Sequence, residues 1–429
     1  MNVSESSLML QLSMFDTAAG AAFLFRELAQ MSYDGVGITR ESYGSTEQAA
    51  IELVKIVARS SGLAVESDAA SNFFISLPGT CGDESFVLCG SHLDSVPHGG
   101  NYDGAAGVVA GLMCLCRMRH LGIVPRRTIK LVVLRAEESA WFGKPCIGSS
   151  ALMGQLKKED FDLKHRLTGK SLSESMSAAG VQIEKLLQAH PLIDPRQIAA
   201  YLELHIEQGP VLISKDKPVG IVSGIRGNRR HRRIVCKGEA GHSGAVPQCL
   251  RHDAVLATAD LLVRLERRSL EMLDLGYDLV VTSGIVNTNP DDQAITRIAG
   301  EVTFSLDIRS QSKETLDCFH SWVVEESKIV GIERGVTFEF DAPDLFEPVL
   351  LDRGLIETLR KLCERFDLEA PVMASGAGHD AAIFANSGIP SAMIFVRNEN
   401  GSHNPDEAME LDDFLRATQL LYAALLEVA

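Results

Sequence analysis

The chain has 429 residues, of which 45% are hydrophobic and 23% are charged, and its formal net charge is −16. This length suits two globular domains, and the charge argues against nucleic acid or an anionic membrane as the main partner. The nine cysteines follow no CxxC spacing and no apolar run approaches the ~18 residues of a transmembrane helix, so a reducing, cytoplasmic setting is expected.

In chain order, residues 1–15 lack a basic leader and a clear cleavage site, so we expect no signal peptide. Ser45 and Gln48 then form a candidate capping box ahead of an amphipathic helix. Short apolar runs typical of buried strands follow at 85–91, 128–135 and 201–206, with a helix predicted at about 106–120. Such runs, separated by helices, indicate a mainly parallel sheet covered on both faces. The polar, helix-rich segment 157–195 is interpreted as an excursion from this core.

From about Val222 the pattern changes to alternating strands and amphipathic helices in the order βαββαβ, which is typical of a ferredoxin-like split unit. After Pro343 the first pattern returns. We therefore predict an α/β protein with a mainly parallel-sheet catalytic domain at 1–222 and 343–429. The inserted domain is predicted at 223–342.

Metal-binding side chains stand near the ends of the predicted strands, where ligands gather in open α/β sheets. His92 ends one strand. Asp103, eleven residues after His92, lies just before the start of a helix. Asp94 projects from the same face as His92 and could hold its second imidazole nitrogen. The glycine-rich stretch 99–107 could suggest a phosphate loop instead, but no GK[ST] follows and an acidic residue lies within it.

Three further sites repeat this placement. Glu137 and Glu138 follow an apolar strand, so one carboxylate could bind metal while the other accepts a proton from bound water. His205 lies within a strand, and His403 lies in a loop that follows another strand. A surface turn for the acidic pair and a solvated loop histidine are the alternatives for each motif alone, but the coincidence at successive strand ends favours one metal site.

The motifs that carry these residues resemble the di-metal aminoacylase and carboxypeptidase-like hydrolases. The resemblance is greatest to the branch of N-carbamoyl-L-amino-acid amidohydrolases, β-ureidopropionases and allantoate amidohydrolases, and it extends from about residue 20 to the C-terminus. The motifs are GSHLDSV with GGNYDG, AEES…GS, ELHIEQGP, GEAGHSGAVP…RHDA, SLDIR, SGAGHDA and GSHNPDE.

The resemblance implies a role for each matching position. His92 and His205 would bind one divalent ion, Glu138 and His403 a second, and Asp103 would bridge the two. Glu137 would be the general base, and the peptide bond between Asp103 and Gly104 would be cis. Zinc is the metal we expect first, and the same ligand set also accepts manganese, cobalt or nickel.

The resemblance also suggests residues for substrate binding. His242 would stabilise the oxyanion, commonly at the partner subunit's site, although a structural histidine is the alternative. The resemblance places Gln208 and Arg309 at substrate-binding positions. The guanidinium of Arg309 suits bidentate capture of a carboxylate. Thr296 replaces the usual asparagine, and His379 would line the pocket without binding metal.

Two more positions depart from the branch pattern. Trp141 and Phe142 replace the usual Arg-Phe after the acidic pair, and Arg397 adds a cation before the GSHNPDE motif. The metal ligands match at every position. The departures therefore bear on which substrate is cleaved and not on whether the chain is a hydrolase.

The sequence thus predicts an amidohydrolase in which a metal-bridging hydroxide attacks an amide or ureido carbonyl, with an N-carbamoyl-amino acid or similar anionic small molecule as substrate. A homodimer formed through the inserted domain, which would also act as a lid, is expected from the resemblance. Two alternatives remain: a peptidase or N-acyl-amino-acid deacylase on the same scaffold, and a non-catalytic binding protein. Glu137 argues against the second, because binding alone has no need of a base.

Overall fold

The computed structural model describes residues 17–81 and 85–429. The expectation about a signal peptide concerns residues 1–15, which lie outside the described residues. The chain divides into two compact units, Met1–Ser223 with Leu351–Ala429, and Gly224–Leu350. Each described helix is too short or too polar to cross a bilayer.

The strands are numbered along the chain. They are β1 Ala64–Ser67, β2 Phe73–Leu77, β3 Phe86–His92, β4 Thr128–Leu134, β5 Ile198–Ile206, β6 Val219–Ile225, β7 Gly227–Lys237, β8 Gly241–His242, β9 Val280–Thr282, β10 Val286–Thr288, β11 Arg297–Ile298, β12 Glu301–Ser310, β13 Thr337–Phe340, β14 Asp344–Phe346, β15 Val349–Leu350, β16 Val372–Ser375 and β17 Ser391–Val396.

The sheet of the first unit runs in the order β1-β2-β4-β3-β5-β17-β6, with β16 also pairing with β6. Its four central strands, β4, β3, β5 and β17, are parallel. The flanking pairs β2–β4 and β17–β6 are antiparallel. The prediction of an α/β fold with a mainly parallel central sheet is confirmed.

Helices cover this sheet because its central strands are apolar on both faces; every residue of β3 is buried. The α-helices of the unit are Ala18–Ser32, Ser45–Ser60, Ala105–His120, Ile147–Leu152, Leu172–Ala178, Ile183–Leu186, Val211–Ser214, Arg353–Arg365, Asp380–Asn386 and Leu411–Val428. Its 3₁₀ helices are Lys158–Asp162 and Pro195–Gln197. The segment interpreted as an excursion adds Leu172 and Met176 to a separate hydrophobic cluster around Trp141.

The predicted capping box at Ser45 is wrong. The helix begins at Ser45 itself, and its N-cap residue is Gly44, which has no side chain to cap it. Glu47 turns inward instead, where it accepts from the Tyr43 backbone N–H at 2.6 Å. A buried carboxylate partner thus takes the place of the expected cap.

The second unit is built on an antiparallel sheet in the order β10-β12-β7-β13, with β14 beside β7 and β9 beside β12. The residues of β12 alternate strictly between buried and half-exposed, as a strand covered on one face requires. The helices Ala254–Asp274 and Lys313–Arg334 contribute to the core of this sheet. Two 3₁₀ helices, Gln248–Leu250 and Pro290–Asp292, lie in its loops.

Candidate active site

The predicted ligands are brought to one edge of the central sheet by its parallel strands. His92 is the last residue of β3, and His205 lies one residue before the end of β5. Since β4 and β17 lie parallel beside them, the loops that carry Glu137, Glu138 and His403 leave from the same edge.

Asp103 lies at the centre of the cluster and is buried. Its Oδ1 is 3.2 Å from His205 Nε2 and 3.6 Å from His92 Nε2. Its Oδ2 is 3.3 Å from His403 Nε2. The two carboxylate oxygens therefore face different histidines, which is the arrangement that a bridging ligand needs.

Two groups of potential ligands share this aspartate: His92, Asp103 and His205, and Asp103, Glu138 and His403. His403 Nε2 is 3.4 Å from Glu138 Oε1. Ligand atoms on a tetrahedral ion with bonds of about 2.1 Å lie roughly 3.4 Å apart, so these spacings suit a transition metal ion. Imidazole and carboxylate donors fit zinc, manganese, cobalt or nickel.

Gly104 permits this packing. A β-carbon at position 104 would lie 2.4 Å from the His92 ring, so only glycine fits beside that histidine. Its φ of 64° is also in the region that favours glycine. Residues 17–81 and 85–429 contain no cis peptide bond, so the expectation of a cis bond between Asp103 and Gly104 is wrong.

Asp94 connects His92 to the acidic pair. Its Oδ1 is 3.4 Å from His92 Nδ1, which also contacts the Asp94 carbonyl oxygen at 3.0 Å. The backbone N–H groups of Glu137 and Glu138 donate to its two carboxylate oxygens at 3.0 and 3.1 Å, and the Ser42 hydroxyl donates at 2.6 Å. Burial opposes ionisation of Asp94, but its hydrogen bonds with His92 and Ser42 hold the pKa below its usual range.

Glu137 is buried with one oxygen directed at the cluster. Its Oε2 is 3.8 Å from His92 Nε2, and its Oε1 accepts from Cys146 Sγ at 3.2 Å. Burial raises the pKa of Glu137 well above its usual value; His92 lowers it and the Glu138 charge raises it further. A carboxyl group with a raised pKa is suited to taking up and releasing a proton.

Gln208 and His379 also lie at the cluster. Gln208 donates from Nε2 to Asp103 Oδ2 at 2.8 Å. The His379 ring packs edge-on against His205, with centroids 4.5 Å apart, and its Nε2 is 2.9 Å from the Ser375 hydroxyl. Burial, and then the neighbouring His205, lower the pKa of His379 well below its usual value, so this imidazole is neutral.

Sequence reasoning missed Ser402 and Glu407. The Ser402 hydroxyl lies 2.7 Å from Asp103 Oδ2 and 2.6 Å from Glu407 Oε2. Glu407 also accepts from the backbone N–H groups of Tyr102 and Asp103. Both residues belong to the GSHNPDE motif, so the motif was the available signal, although its spacing assigns them no partner.

The two departures in the first unit have structural roles. Trp141 is buried, donates from Nε1 to the Ser95 carbonyl at 2.8 Å and stacks on His165. Arg397 donates to Asp413 at 2.7 Å and to Asp216 at 2.8 Å. Arg397, which the sequence predicts as an added cation close to the site, thus has its guanidinium bound by two carboxylates of the first unit.

The remaining predicted residues belong to the second unit. His242 is exposed on β8, opposite Arg297 of β11, and Thr296 accepts a backbone hydrogen bond from Ser243. Arg309 donates twice to Asp307 Oδ2, at 3.0 and 2.7 Å. Asp307 thus helps to orient the Arg309 guanidinium.

Known proteins support the resemblance drawn from the motifs. The chain is 33% identical over 393 residues to N-carbamoyl-L-amino-acid amidohydrolase from Pseudomonas sp. (strain NS671), covering 91% of this chain and 93% of that protein. It is 33% identical over 395 residues to allantoate amidohydrolase from Escherichia coli (strain K12), covering 92% and 93%.

A solved amidase of the hydantoinase/carbamoylase family from Burkholderia multivorans has the same fold. The TM-score is 0.88 at 27% identity, over 96% of this chain and 98% of that one. Residues 88–427 match the model of peptidase family M20/M25/M40. With both ligand groups lying inside that span, the chain belongs to the peptidase family M20/M25/M40, as a hydrolase of its amidohydrolase branch.

Proposed function

We propose that this protein hydrolyses the ureido C–N bond of an N-carbamoyl-amino acid or a similar ureido acid. The observation that carries the proposal is Asp103, whose two oxygens face two separate sets of ligands, with the buried Glu137 carboxyl beside them. The similarity to N-carbamoyl-L-amino-acid and allantoate amidohydrolases supports a substrate of this class.

In this proposal His92 and His205 would hold one divalent ion and Glu138 and His403 a second, and Asp103 would contribute to both sites. When bound, the ions acidify a water molecule and polarise the substrate carbonyl. The protein orients the ligands: His205 Nδ1 is 2.9 Å from the Ile206 carbonyl oxygen, which leaves Nε2 directed at Asp103.

Glu137 moves the proton. It takes a proton from the attacking water as the new C–O bond forms at the ureido carbon, and it delivers this proton to the nitrogen as the C–N bond breaks. The products are the free amino acid and carbamate, which decomposes to ammonia and carbon dioxide. The burial that raises the pKa of Glu137 favours the step in which it holds the proton.

The remaining site residues bind the substrate or stabilise the charge that develops on it. Gln208 and His379 line the pocket beside Asp103, Arg309 binds the carboxylate of the substrate, and Thr296 is a further substrate contact. His242 stabilises the developing oxyanion, and the inserted domain acts as a lid and dimer interface. A solution mass of a monomer with full activity would contradict a contribution of His242 from a second copy.

The substrate class is tested by supplying the metal-loaded enzyme with N-carbamoyl-amino acids, allantoate, N-acyl-amino acids and dipeptides in parallel. We expect ammonia release from the ureido compounds at rates well above those of amide cleavage. Turnover confined to dipeptides or N-acyl-amino acids would contradict the proposal and favour a peptidase or deacylase on the same scaffold.

The role of Glu137 is tested by Glu137→Gln, which keeps the shape of the side chain and removes the base. We expect kcat to fall by about 10²-fold or more with the metal content unchanged. Steady-state kinetics and elemental analysis measure the two quantities. Glu364→Gln, an exposed position on the helix Arg353–Arg365, is the matched control and keeps wild-type turnover.

A further inference from the structure

Cys146 lies against the side chain of Glu137 on the side away from His92. Its Sγ is 3.2 Å from Glu137 Oε1, and its backbone N–H donates to the Glu137 carbonyl oxygen at 2.8 Å. Cys146 is 5% exposed and Glu137 is 8% exposed. Among residues 17–81 and 85–429, this thiol is the one hydrogen-bond donor that reaches the Glu137 carboxylate.

The backbone of Cys146 has a conformation that disfavours any side chain. Its φ of 55° and ψ of 41° lie in the left-handed region, where glycine is the usual residue. A non-glycine residue held there is often part of a functional arrangement. The thiol is the group that glycine would lack, and it is the group that contacts Glu137.

Neighbouring contacts hold the thiol in place. Ile147, the next residue, donates its backbone N–H to the Ala136 carbonyl at 2.9 Å, so the chain at Cys146 runs alongside the acidic pair. One turn further, the Ser149 hydroxyl lies 2.5 Å from Asp380 Oδ1 and 3.2 Å from the Cys146 carbonyl oxygen. Burial raises the pKa of the Cys146 thiol well above its usual value, so the thiol keeps its proton and acts as a donor.

We propose that Cys146 is a positioning residue for Glu137: its thiol holds Oε1 and leaves Oε2 free to face the reacting water. A base held at one oxygen keeps its other oxygen aligned without rotating about its own side-chain bonds. This inference rests on the proposed function, in which Glu137 is the base. The alternative is a cysteine that only fills space, as buried cysteines commonly do.

Three substitutions in the full-length, metal-loaded protein separate these roles, with N-carbamoyl-L-alanine as substrate. Cys146→Ala and Cys146→Gly both remove the donor, and glycine also suits the left-handed backbone. We expect each to lower kcat by about 10-fold, with KM and metal content unchanged. Cys146→Ser keeps a donor and should stay within about 3-fold of the wild type. Cys363→Ala, which removes a buried thiol from the helix Arg353–Arg365, is the control that keeps wild-type kcat.

A double-substitution cycle with Glu137→Gln gives the sharpest readout. If Cys146 acts through Glu137, adding Cys146→Ala to Glu137→Gln lowers the residual rate no further. Wild-type kcat in both Cys146→Ala and Cys146→Gly, or the same fold loss with and without Glu137, would overturn the inference. Full turnover of Glu137→Gln alone would instead overturn the proposed function, so the two failures are distinguishable.

Discussion

Arg135, two residues before Glu137 in the chain, forms a buried ion pair with Glu47. Arg135 Nη2 is 2.6 Å from Glu47 Oε2, and their side chains are 1% and 0% exposed. The Arg135 carbonyl oxygen also accepts the Gly148 backbone N–H at 2.8 Å, which connects the chain just before the acidic pair to the helix Ile147–Leu152. A charge left alone in such a place has no water to solvate it.

We therefore predict that Glu47→Gln lowers the free energy of unfolding by about 3–5 kcal/mol. Urea unfolding of the variant and the wild type measures this difference. Glu369→Gln is the matched control: it removes an exposed partner of Lys217 and should change stability by less than about 1 kcal/mol. If both substitutions changed the free energy of unfolding equally, burial would not determine how much the ion pair stabilises the protein.

Among the individual residues of the site, the sequence predicted those that lie near the ends of apolar strands. His92, His205 and the acidic pair could be found because apolar runs end beside them. Cys146 could not be predicted in this way, because its contact with Glu137 depends on a left-handed backbone conformation that the sequence pattern does not indicate. The hydrogen bond from Arg397 to Asp216 was not predictable for a similar reason: Asp216 is distant in sequence and close in space.

The helix Ala105–His120 is the element that carries Asp103 to the sheet, and Gly107 sets how closely it packs. A β-carbon at Gly107 would lie 2.2 Å from the Leu204 carbonyl oxygen of β5, which is backbone and cannot move aside. The helix starts two residues after Asp103, so any shift of its first turn also moves the shared carboxylate.

Gly107→Ala should therefore lower both stability and metal affinity. We expect a loss of about 1–3 kcal/mol in the free energy of unfolding, with weaker metal binding in equilibrium dialysis. Gly284→Ala is the control, because a β-carbon there meets nothing within 4 Å. If Gly107→Ala were destabilised but bound metal with unchanged affinity, the packing of this helix would not determine the position of Asp103.

The two helices of the second unit are joined by Asp260. It accepts from Arg264 on its own helix at 2.9 Å and from Arg334 on the other helix at 2.7 Å. Partial burial opposes ionisation of Asp260, but these hydrogen bonds hold its pKa below the usual range. Because the folded-state pKa is lowered, the stabilisation is fully present above the unfolded-state pKa of about 3.9 and is lost as pH falls through the folded-state value.

Asp260→Asn should thus reduce stability by about 0.5–1 kcal/mol at pH 7, and the difference from the wild type should shrink as the pH falls below about 4. Denaturant unfolding at several pH values measures it. Asp274→Asn, at an exposed position on the same helix, is the control. A difference that grows on acidification would have the wrong sign for this account.

Element positions were predictable where the apolar period was long. The central strands and the helix predicted at about 106–120 lie where the sequence indicated. The start of the helix Ser45–Ser60 was predicted wrongly from its capping pattern. In the structure Glu47, in the first turn, pairs with the buried Arg135, which the sequence alone does not place beside this helix. Tertiary pairing outweighs a local cap here.

At the scale of the whole molecule, the anionic substrate that we propose would have to bind to a chain with a net charge of −16. The proposed metal ions would supply positive charge at the site, where several carboxylates are buried close together. This local positive charge would attract an anionic substrate. We therefore propose that ureido hydrolysis by this protein needs two ions for each chain, with Asp103 contributing to both sites.

Metal titration of the metal-free protein tests whether activity requires two ions. Zinc or manganese is added in steps to the chelator-treated enzyme while the rate of ammonia release from an N-carbamoyl-amino acid is recorded. We expect the metal-free protein to be inactive and the rate to rise to a plateau at two equivalents per chain. Ammonia release without metal, or a plateau at a single equivalent, would contradict it.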